Sequence, residues 1–275
     1  MHTRKTANKY LEFLFPSIGY EAKAKTISRS LAMQLYPAGF ARALLLEEFI
    51  EFHKCSKMAH SDSINVAVIG GSSQDPELFA LKHLGLEINL TIFGIDPQVE
   101  YLDLNTINAK NSKFQFDLIL CSQVVEHLWN HAAAFDSLKN LMNQDTYLWI
   151  SCPSSNRPHG LSFYYSAGLT SSFLVKNLEH NGFKVLGSGS IGTRRLYRAI
   201  HTQPSWLSVR GHKFPPLWSF EEHPYDKQGK IYRFLFRLRY FVRNMELLMF
   251  SRKITTDIRC ATESWACASL DGSKI

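Results

Sequence analysis

The segment F-D-L-I-L-C-S-Q-V-V-E-H-L carries the most specific chemical pattern in the sequence. Its apolar residues, 116–121, predict a buried strand, and Ser122 and Gln123 follow at the carboxyl end of that strand. Glu126 and His127 come next, on what we predict to be the first turn of a helix. Because the ordinary pKa of histidine lies near neutrality, His127 suits a general base, which Glu126 would orient. The alternative is a histidine that only caps or braces the neighbouring loops, beside a glutamate that favours the helix N-terminus.

The apolar run I-N-V-A-V-I, residues 64–69, ends in Gly70 and Gly71, and Ser72 follows them. Glycines directly after a strand let the backbone approach a ligand closely and adopt positive φ angles. The N–H groups at the start of the next helix can then receive polar groups of that ligand. The pattern G-x-G-x-x-G is absent, which argues against a nicotinamide or flavin site that must hold a pyrophosphate. A tight strand-to-helix turn without a ligand is the alternative.

Asp96 stands 26 positions after Gly70, at the end of the apolar run 90–95. A carboxylate at the end of the second strand can accept hydrogen bonds from both hydroxyls of a ribose. The alternative is an aspartate that only forms the turn before Pro97. Together with the glycine loop, Asp96 indicates a ligand that contains a ribose and lacks a pyrophosphate.

Alternating strands and helices place these groups on one edge of a predicted sheet. Short apolar runs, typical of buried parallel strands, occur at 64–69, 90–95, 116–121, 147–152 and 183–187. Helical stretches are predicted at 75–84, from 122 to about 142, and at 170–181. This alternation predicts an α/β fold with a doubly wound, Rossmann-like, mostly parallel sheet. Ligands of such sheets bind at the carboxyl ends of the strands, near the point where the strand order reverses.

The chain divides into three predicted regions. Residues 1–62 contain apolar residues at helical spacing. Residues 63–189 form the α/β core, to which the stretch 259–270 returns as a last strand. Residues 190–258, rich in Pro, Trp and Arg, form an insertion before that strand, with an amphipathic helix at 229–252.

The basic charge of the protein is concentrated in the predicted insertion. The whole chain has 31 Lys and Arg against 24 Asp and Glu, a net charge of +7. Residues 194–259 carry 14 basic and 5 acidic side chains, which is +9, so the rest carries 17 against 19, or −2. Three interpretations stay open for the helix at 229–252: packing on the core with solvated arginines, binding to a membrane surface, or binding to nucleic acid.

Composition and cysteine usage exclude several classes of protein. With 45% apolar and 20% charged residues, the 275-residue chain can bury a sizeable core, so a disordered chain is excluded. The five cysteines are scattered without a C-x-x-C pair, which indicates reduced thiols rather than a zinc or redox motif. We find no signal peptide and no run of 18 apolar residues, and we expect a soluble, cytoplasmic protein, for which membrane-surface contact through 229–252 is one of the three open interpretations.

The chain from about 64 to 188 resembles the class I S-adenosylmethionine-dependent methyltransferases, particularly the branch of ubiquinone-biosynthesis-type O-methyltransferases. The glycine loop, Asp96 and the V-x-E-H-hydrophobic signature at Val124 to Leu128 match the motifs of that family, and D-L-N at 103–105 is similar to its adenine-bracketing segment. The resemblance implies an antiparallel last strand, an N-terminal helical cap and S-adenosylmethionine as the cofactor. It also implies cofactor contacts from Gly70, Gly71, Ser72, Asp96, Pro97, Asp103, Leu104, Ser122 and Gln123.

The sequence departs from the family pattern at three places. Val68 stands where the family usually has an acidic residue, and Ser72 or Gln74 stands where a further glycine is usual. Asp103 follows Asp96 by only seven positions, so we expect the helix between the second and third strands to be missing or a single turn. A methyltransferase-like binding module without catalytic activity is therefore one alternative function.

The acceptor that we predict is an oxygen atom of a small molecule, a glycan or a lipid-linked sugar. No N-P-P-Y-type tetrapeptide follows 116–121, so the signature typical of amino-group methylation on a base is absent. His159, in the loop C-P-S-S-N-R-P-H-G, is a second base, a substrate contact or a solvent-exposed residue. Glu126, His127 and His159 are also similar to the metal-binding set of small-RNA 2′-O-methyltransferases, which is the alternative enzyme. Gln123 replaces the first glutamate of that set, and since an amide is a poorer ligand for a hard cation, we predict no metal.

Overall fold

The computed structural model describes residues 63–106, 115–154, 166, 168–191 and 263–270, together with the helical residues 39, 42, 43, 45–47, 49 and 50. His159 and the predicted amphipathic helix at 229–252 lie outside the described residues. So do nearly all of the predicted insertion and most of the predicted N-terminal cap.

The described core is one sheet with helices on its faces. Along the chain it forms β1 (Ser63–Ile69), α1 (Pro76–His83), β2 (Glu87–Gly94), β3 (Glu100–Tyr101), β4 (Leu118–Ser122), a 3₁₀ turn (Val125–His127), α2 (His131–Asn140), β5 (Tyr147–Pro153), α3 (Ser171–His180), β6 (Phe183–Ile191) and β7 (Glu263–Leu270). The strand order is β3-β2-β1-β4-β5-β7-β6. Only β7 is antiparallel to its neighbours, β5 and β6. The predicted fold class is confirmed, including the antiparallel last strand.

The direction of strand order reverses between β1 and β4. Strands β2 and β3 extend the sheet on the β1 side, whereas β5, β7 and β6 extend it on the β4 side. The carboxyl ends of β1 and β4 therefore form the switch point, which is where open parallel sheets bind ligands.

Each strand of the sheet centre contributes to two apolar cores, because successive side chains point to opposite faces. On one face, Ile69, Ile119 and Ile150 pack with apolar residues of α2 and α3. On the other face, Val68 and Leu120 pack with α1 and with the N-terminal helical residues. Helices on both faces explain why the central strands read as almost continuously apolar.

The N-terminal helical residues are part of the second core. Phe49 is 4% exposed, and its ring centroid lies 5.8 Å from that of Trp149 and 6.1 Å from that of Trp265. The two tryptophan rings stack at 5.1 Å with an interplanar angle of 16°. This aromatic contact attaches the N-terminal helical residues to the sheet.

The predicted helix from 122 to about 142 is wrong at its start. The chain leaves β4 into the 3₁₀ turn, and Leu128 then adopts an extended conformation with φ −100° and ψ 138°. Helix α2 begins only at His131, because the side-chain oxygen of Asn130 caps it by accepting a hydrogen bond from a backbone N–H of its first turn. Glu126 and His127 therefore lie on a separate turn and not on an α-helix.

The connection between β2 and β3 is short, as expected. Residues 95–99 form a turn in which the N–H of Val99 donates to the carbonyl of Asp96 over 3.2 Å, without an α-helix. Strand β2 begins at Glu87, three residues before its predicted start. The prediction missed these residues because Glu87 and Asn89 are polar and exposed, so they interrupt the apolar pattern.

Three cysteines fall within the described residues, and all three are buried free thiols: Cys121, Cys152 and Cys267. Burial raises the pKa values of Cys121 and Cys152, so both stay protonated. Within the described ranges, no helix has the length and apolar character needed to cross a bilayer. The cytoplasmic location stays a prediction.

Candidate functional site

The glycine loop after β1 packs directly against the loop after β4. Gly70 has a φ of +66°, and a Cβ atom built on it would lie 2.8 Å from Cγ2 of Val124. A Cβ atom on Gly71 would collide with the carboxylate of Asp75 and lie 2.7 Å from Cγ1 of Val68. Both positions require glycine for internal packing alone, so the tight-turn interpretation accounts for them. A role in ligand binding stays a prediction.

Ser72 closes the same loop through Asp75. The carboxylate of Asp75 accepts hydrogen bonds from the N–H of Ser72, at 3.0 Å, and from its hydroxyl, at 3.4 Å. Burial raises the pKa of Asp75, while the Ser72 N–H opposes that rise. The loop is therefore held in shape by its own polar groups.

Ser122, at the end of β4, is bound to a buried ion pair. Its hydroxyl donates to Oε1 of Glu77 over 2.7 Å, and Nε of Arg42 donates to the same oxygen over 3.0 Å. Glu77 lies in the first turn of α1 and Arg42 belongs to the N-terminal helical residues. Because the Ser122 proton points to Glu77, the hydroxyl oxygen is left to act as an acceptor for a ligand.

Gln123 follows Ser122 in a strained backbone conformation. Its φ is +60°, the one positive value among the non-glycine residues that the structure describes. Its N–H donates to the carbonyl of Ser151 over 2.8 Å, and its side-chain amide donates to Oε2 of Glu263 over 2.9 Å. Glu263 is the first residue of β7 and is 4% exposed.

The 3₁₀ turn places a buried acid beside a partly exposed histidine. Nε2 of His127 lies 3.7 Å from Oε1 of Glu126, and the side chain of His127 is 25% exposed. Glu126 is fully buried, and neither of its carboxylate oxygens accepts a hydrogen bond from a described residue. Burial raises the pKa of Glu126 to about 8; the residue's own backbone N–H and Arg42 oppose this rise, and Glu263 adds to it.

A different histidine braces this turn. Nε2 of His131 donates to the carbonyl of Val125 over 3.0 Å, and its ring packs edge-on against Phe173 at 5.2 Å. His131 thus braces the turn in addition to any contact that His127 makes, and the bracing alternative for His127 stays open. Catalysis by His127 stays a prediction.

Asp96 and Pro97 lie exposed just beyond the end of β2. Oδ1 of Asp96 accepts a hydrogen bond from the N–H of Gln98 over 2.8 Å, the geometry of an Asx turn. Asp96 therefore does form a turn, as the alternative interpretation expected, and the residue is exposed. The glycine loop is joined to the same strand, since the Gly70 N–H donates to the carbonyl of Phe93.

Asp103 and Leu104 begin the loop after β3, and this loop is joined to the one after the 3₁₀ turn. Leu104 is buried, and Asp103 accepts a hydrogen bond from the N–H of Asn105 over 2.9 Å. The Asn105 side chain accepts hydrogen bonds from the backbone N–H groups of Trp129 and Asn130, at 3.0 and 3.3 Å. Trp129, which the sequence pattern did not single out, is 63% exposed here and offers an aromatic surface at the edge of the site.

The carboxyl edge of the sheet is rich in buried acids. Glu77, Glu126 and Glu263 are buried there, Asp75 is half-buried beside them, and Arg42 is the cation that faces all four carboxyl groups. Burial raises the pKa of Glu263 to about 7, against the opposing effects of Arg42 and of the hydrogen bond from Gln123. A positively charged ligand at this edge would lower these raised pKa values, because it favours the ionised form of each carboxyl group.

The residues that sequence reasoning missed share one signal. Arg42, Glu77 and Glu263 are charged residues within apolar segments, and each is buried. A charged residue in such a position needs a partner, so the pattern could have identified them as members of a buried polar cluster. Their mutual contacts could not be identified, because they come from distant parts of the chain.

No metal centre is found within the described ranges: no group of three or more His, Cys, Asp or Glu residues there could hold an ion. Gln123 occupies the position at which the metal-binding residues of the 2′-O-methyltransferases include a glutamate. Its side-chain amide donates to Glu263.

Comparisons with known proteins give distant structural similarities. No family model and no curated protein matches the sequence. Coclaurine N-methyltransferase bound to N-methylheliamine and SAH is similar over 97% of this chain and 92% of its own, with 13% identity and a TM-score of 0.41. The [4+2]-cyclase SpnF matches 81% of this chain and 82% of its own at 10% identity and a TM-score of 0.44. Phosphoethanolamine N-methyltransferase 2 of Haemonchus contortus, in complex with S-adenosyl-L-methionine, matches 80% of this chain and 52% of its own at 10% identity and a TM-score of 0.41. At these values the likeness carries no argument about the reaction.

Proposed function

We propose that the chain is an S-adenosylmethionine-dependent methyltransferase that acts on an oxygen atom of a small molecule or a glycan. The observation that carries this proposal is the switch point between β1 and β4, where the glycine loop packs on Val124, next to Gln123, and where Gln123 is bound to buried Glu263. It combines the antiparallel last strand that the sequence resemblance implied with carboxyl groups that suit a cationic ligand.

The residues at this edge fit S-adenosylmethionine. The molecule carries a sulfonium and an ammonium group, and the buried carboxyls of Glu126 and Glu263 can offset such positive charge. The exposed carboxylate of Asp96 is available for ribose hydroxyls, and buried Leu104 for the adenine side of the site. Gly70 and Gly71 would lie alongside the methionine portion.

The chemistry at the acceptor would fall to the 3₁₀ turn. Bound S-adenosylmethionine supplies an electrophilic methyl group, and the protein must align the acceptor oxygen with it. His127, partly exposed at the edge, would take the proton of an acceptor hydroxyl. The Glu126 carboxyl, 3.7 Å from its Nε2, would stabilise the imidazolium in its ionised form, which the new positive charge favours.

Calorimetric titration of S-adenosylmethionine and S-adenosylhomocysteine into the purified protein tests the cofactor. We expect both to bind, and we expect Asp96→Ala to weaken binding roughly 10- to 100-fold, because it removes hydrogen bonds to a charged acceptor. Asp145→Ala is the matched control, since Asp145 is an exposed turn aspartate before β5, at the opposite edge of the sheet. Binding that is unchanged in Asp96→Ala would refute the ribose assignment, and no binding of either compound would favour the non-catalytic module.

Release of S-adenosylhomocysteine in the presence of acceptor panels tests the reaction. We expect turnover with hydroxyl-bearing phenols or sugars and none with matched amines, and His127→Gln should lower kcat while leaving cofactor binding intact. Turnover that requires RNA and a divalent ion would instead establish the alternative 2′-O-methyltransferase.

A further inference from the structure

The two residues at the end of β4 are each held by a buried carboxylate from a distant part of the chain. Ser122 donates to Glu77, and the side chain of Gln123 donates to Glu263, 140 positions away. We propose that Glu263 is a positioning residue: it holds Gln123 in its left-handed conformation and thereby sets the geometry of the cofactor site. This inference rests on the proposed function.

Strain at Gln123 is the first reason. A φ of +60° is disfavoured for a residue with a Cβ atom, and such a conformation persists only where the surroundings determine it. The N–H of Gln123 is held by the carbonyl of Ser151, and the far end of its side chain is held by Glu263. A carboxylate is the stronger kind of acceptor for that amide.

The cost of placing an acid at position 263 is the second reason. Glu263 is buried close to Glu77, whose charge raises its pKa further. For the stability of the fold alone, a glycine at 123 and an apolar residue at 263 would be more favourable, because they avoid the strained φ and the buried carboxyl group. Two unfavourable features that meet at the ligand-binding edge of a sheet indicate function rather than stability.

The topology explains how Glu263 reaches this place. Strand β7 runs antiparallel, so its first residue lies at the same edge as the last residues of the parallel strands. Glu263 is paired with Pro153, the last residue of β5, and with Ile191, the last of β6. The first residue of an antiparallel strand thus lies at the edge formed by the carboxyl ends of the parallel strands.

Binding of S-adenosylhomocysteine, measured by calorimetry together with the melting temperature, tests the assignment. The variants are Glu263→Leu, Gln123→Gly and their double mutant, with Glu263→Gln as the conservative replacement that keeps an acceptor oxygen. Asp117→Asn is the control, because Asp117 accepts a backbone hydrogen bond from Asn65 at the opposite edge of the sheet.

We expect Glu263→Leu to weaken binding about tenfold or more in the wild-type chain and to cause no further loss in the Gln123→Gly variant, because glycine adopts this φ without Glu263. The melting temperatures of the variants should not fall in proportion to their losses of affinity. Glu263→Gln should retain most of the affinity of the wild type. If Glu263→Leu does not fold, Glu263→Ala takes its place in both comparisons. If replacing Glu263 leaves the affinity of the wild-type chain unchanged, or weakens binding by the same factor in Gln123→Gly, the assignment is refuted and the proposed function stands. Absence of wild-type binding overturns the proposed function and this assignment with it.

Discussion

Replacing Glu126 by Gln should change how the stability of the protein depends on pH. The side chain of Glu126 is fully buried without a hydrogen-bond partner among the described residues, and burial raises its pKa from 4.5 to about 8. In the unfolded chain the same group has an ordinary pKa. Folding therefore takes up a proton at this residue whenever the pH lies between the two values.

The size of the effect follows from the two pKa values. The two pKa values differ by about 3.5, and each pKa unit corresponds to about 1.4 kcal/mol, so ionisation of Glu126 lowers the free energy of unfolding by up to about 5 kcal/mol. Below about pH 4.5 both states are protonated and the penalty vanishes. As the pH rises to about 8 the free energy of unfolding falls by about 1.4 kcal/mol per pH unit, and above that it is flat. Glutamine removes this slope and adds a constant cost of about 1–3 kcal/mol for its unpaired amide.

Urea unfolding, followed by circular dichroism from about pH 5 to about pH 9, measures the difference between the variant and the wild type. We expect Glu126→Gln to be the less stable protein at acid pH and the more stable one at alkaline pH, so the two curves cross. Glu263 titrates in both proteins; because its charge raises the pKa of Glu126, it affects the size of the difference but not its sign. The exposed Glu87→Gln is the control and should follow the wild type. Parallel curves for wild type and Glu126→Gln, separated by a constant offset, would refute the buried, unpaired state of Glu126.

Three further substitutions test the packing that supports the site, each by the free energy of unfolding in urea. Arg42→Met should cost about 3–5 kcal/mol, because it leaves a buried carboxylate without its cation. Gly71→Ala should cost about 1–3 kcal/mol, since the new methyl group would press on Val68. Phe49→Ala should cost about 3–5 kcal/mol through the cavity it leaves against two tryptophans. Glu87→Ala, at an exposed position, should stay within about 0.5 kcal/mol; comparable losses there would show that these effects are not site-specific.

Local patterns were sufficient for most of the strands and for the groups at their ends. The apolar runs of β1, β2, β4, β5 and β6 and the glycines at Gly70 and Gly71 are visible in short windows, because a buried strand and a tight turn each constrain a few adjacent residues. The start of α2 was not visible in this way. Val124 to Leu128 reads as helical by composition, but Asn130 caps the helix only after an extended residue has intervened.

The sequence by itself determined the fold class and the edge of the sheet at which a ligand would bind, since the alternation of apolar runs and helices allows few other arrangements. Only the tertiary structure decided how that edge is held. It showed that the Ser122 hydroxyl is directed to Glu77, that Gln123 is strained and bound to Glu263, and that Glu126 is buried. These contacts join residues far apart in the chain, and their energies depend on burial and on mutual distance. Neither quantity is present in a local sequence pattern, which is why the acids that shape the site emerged only from the packed fold.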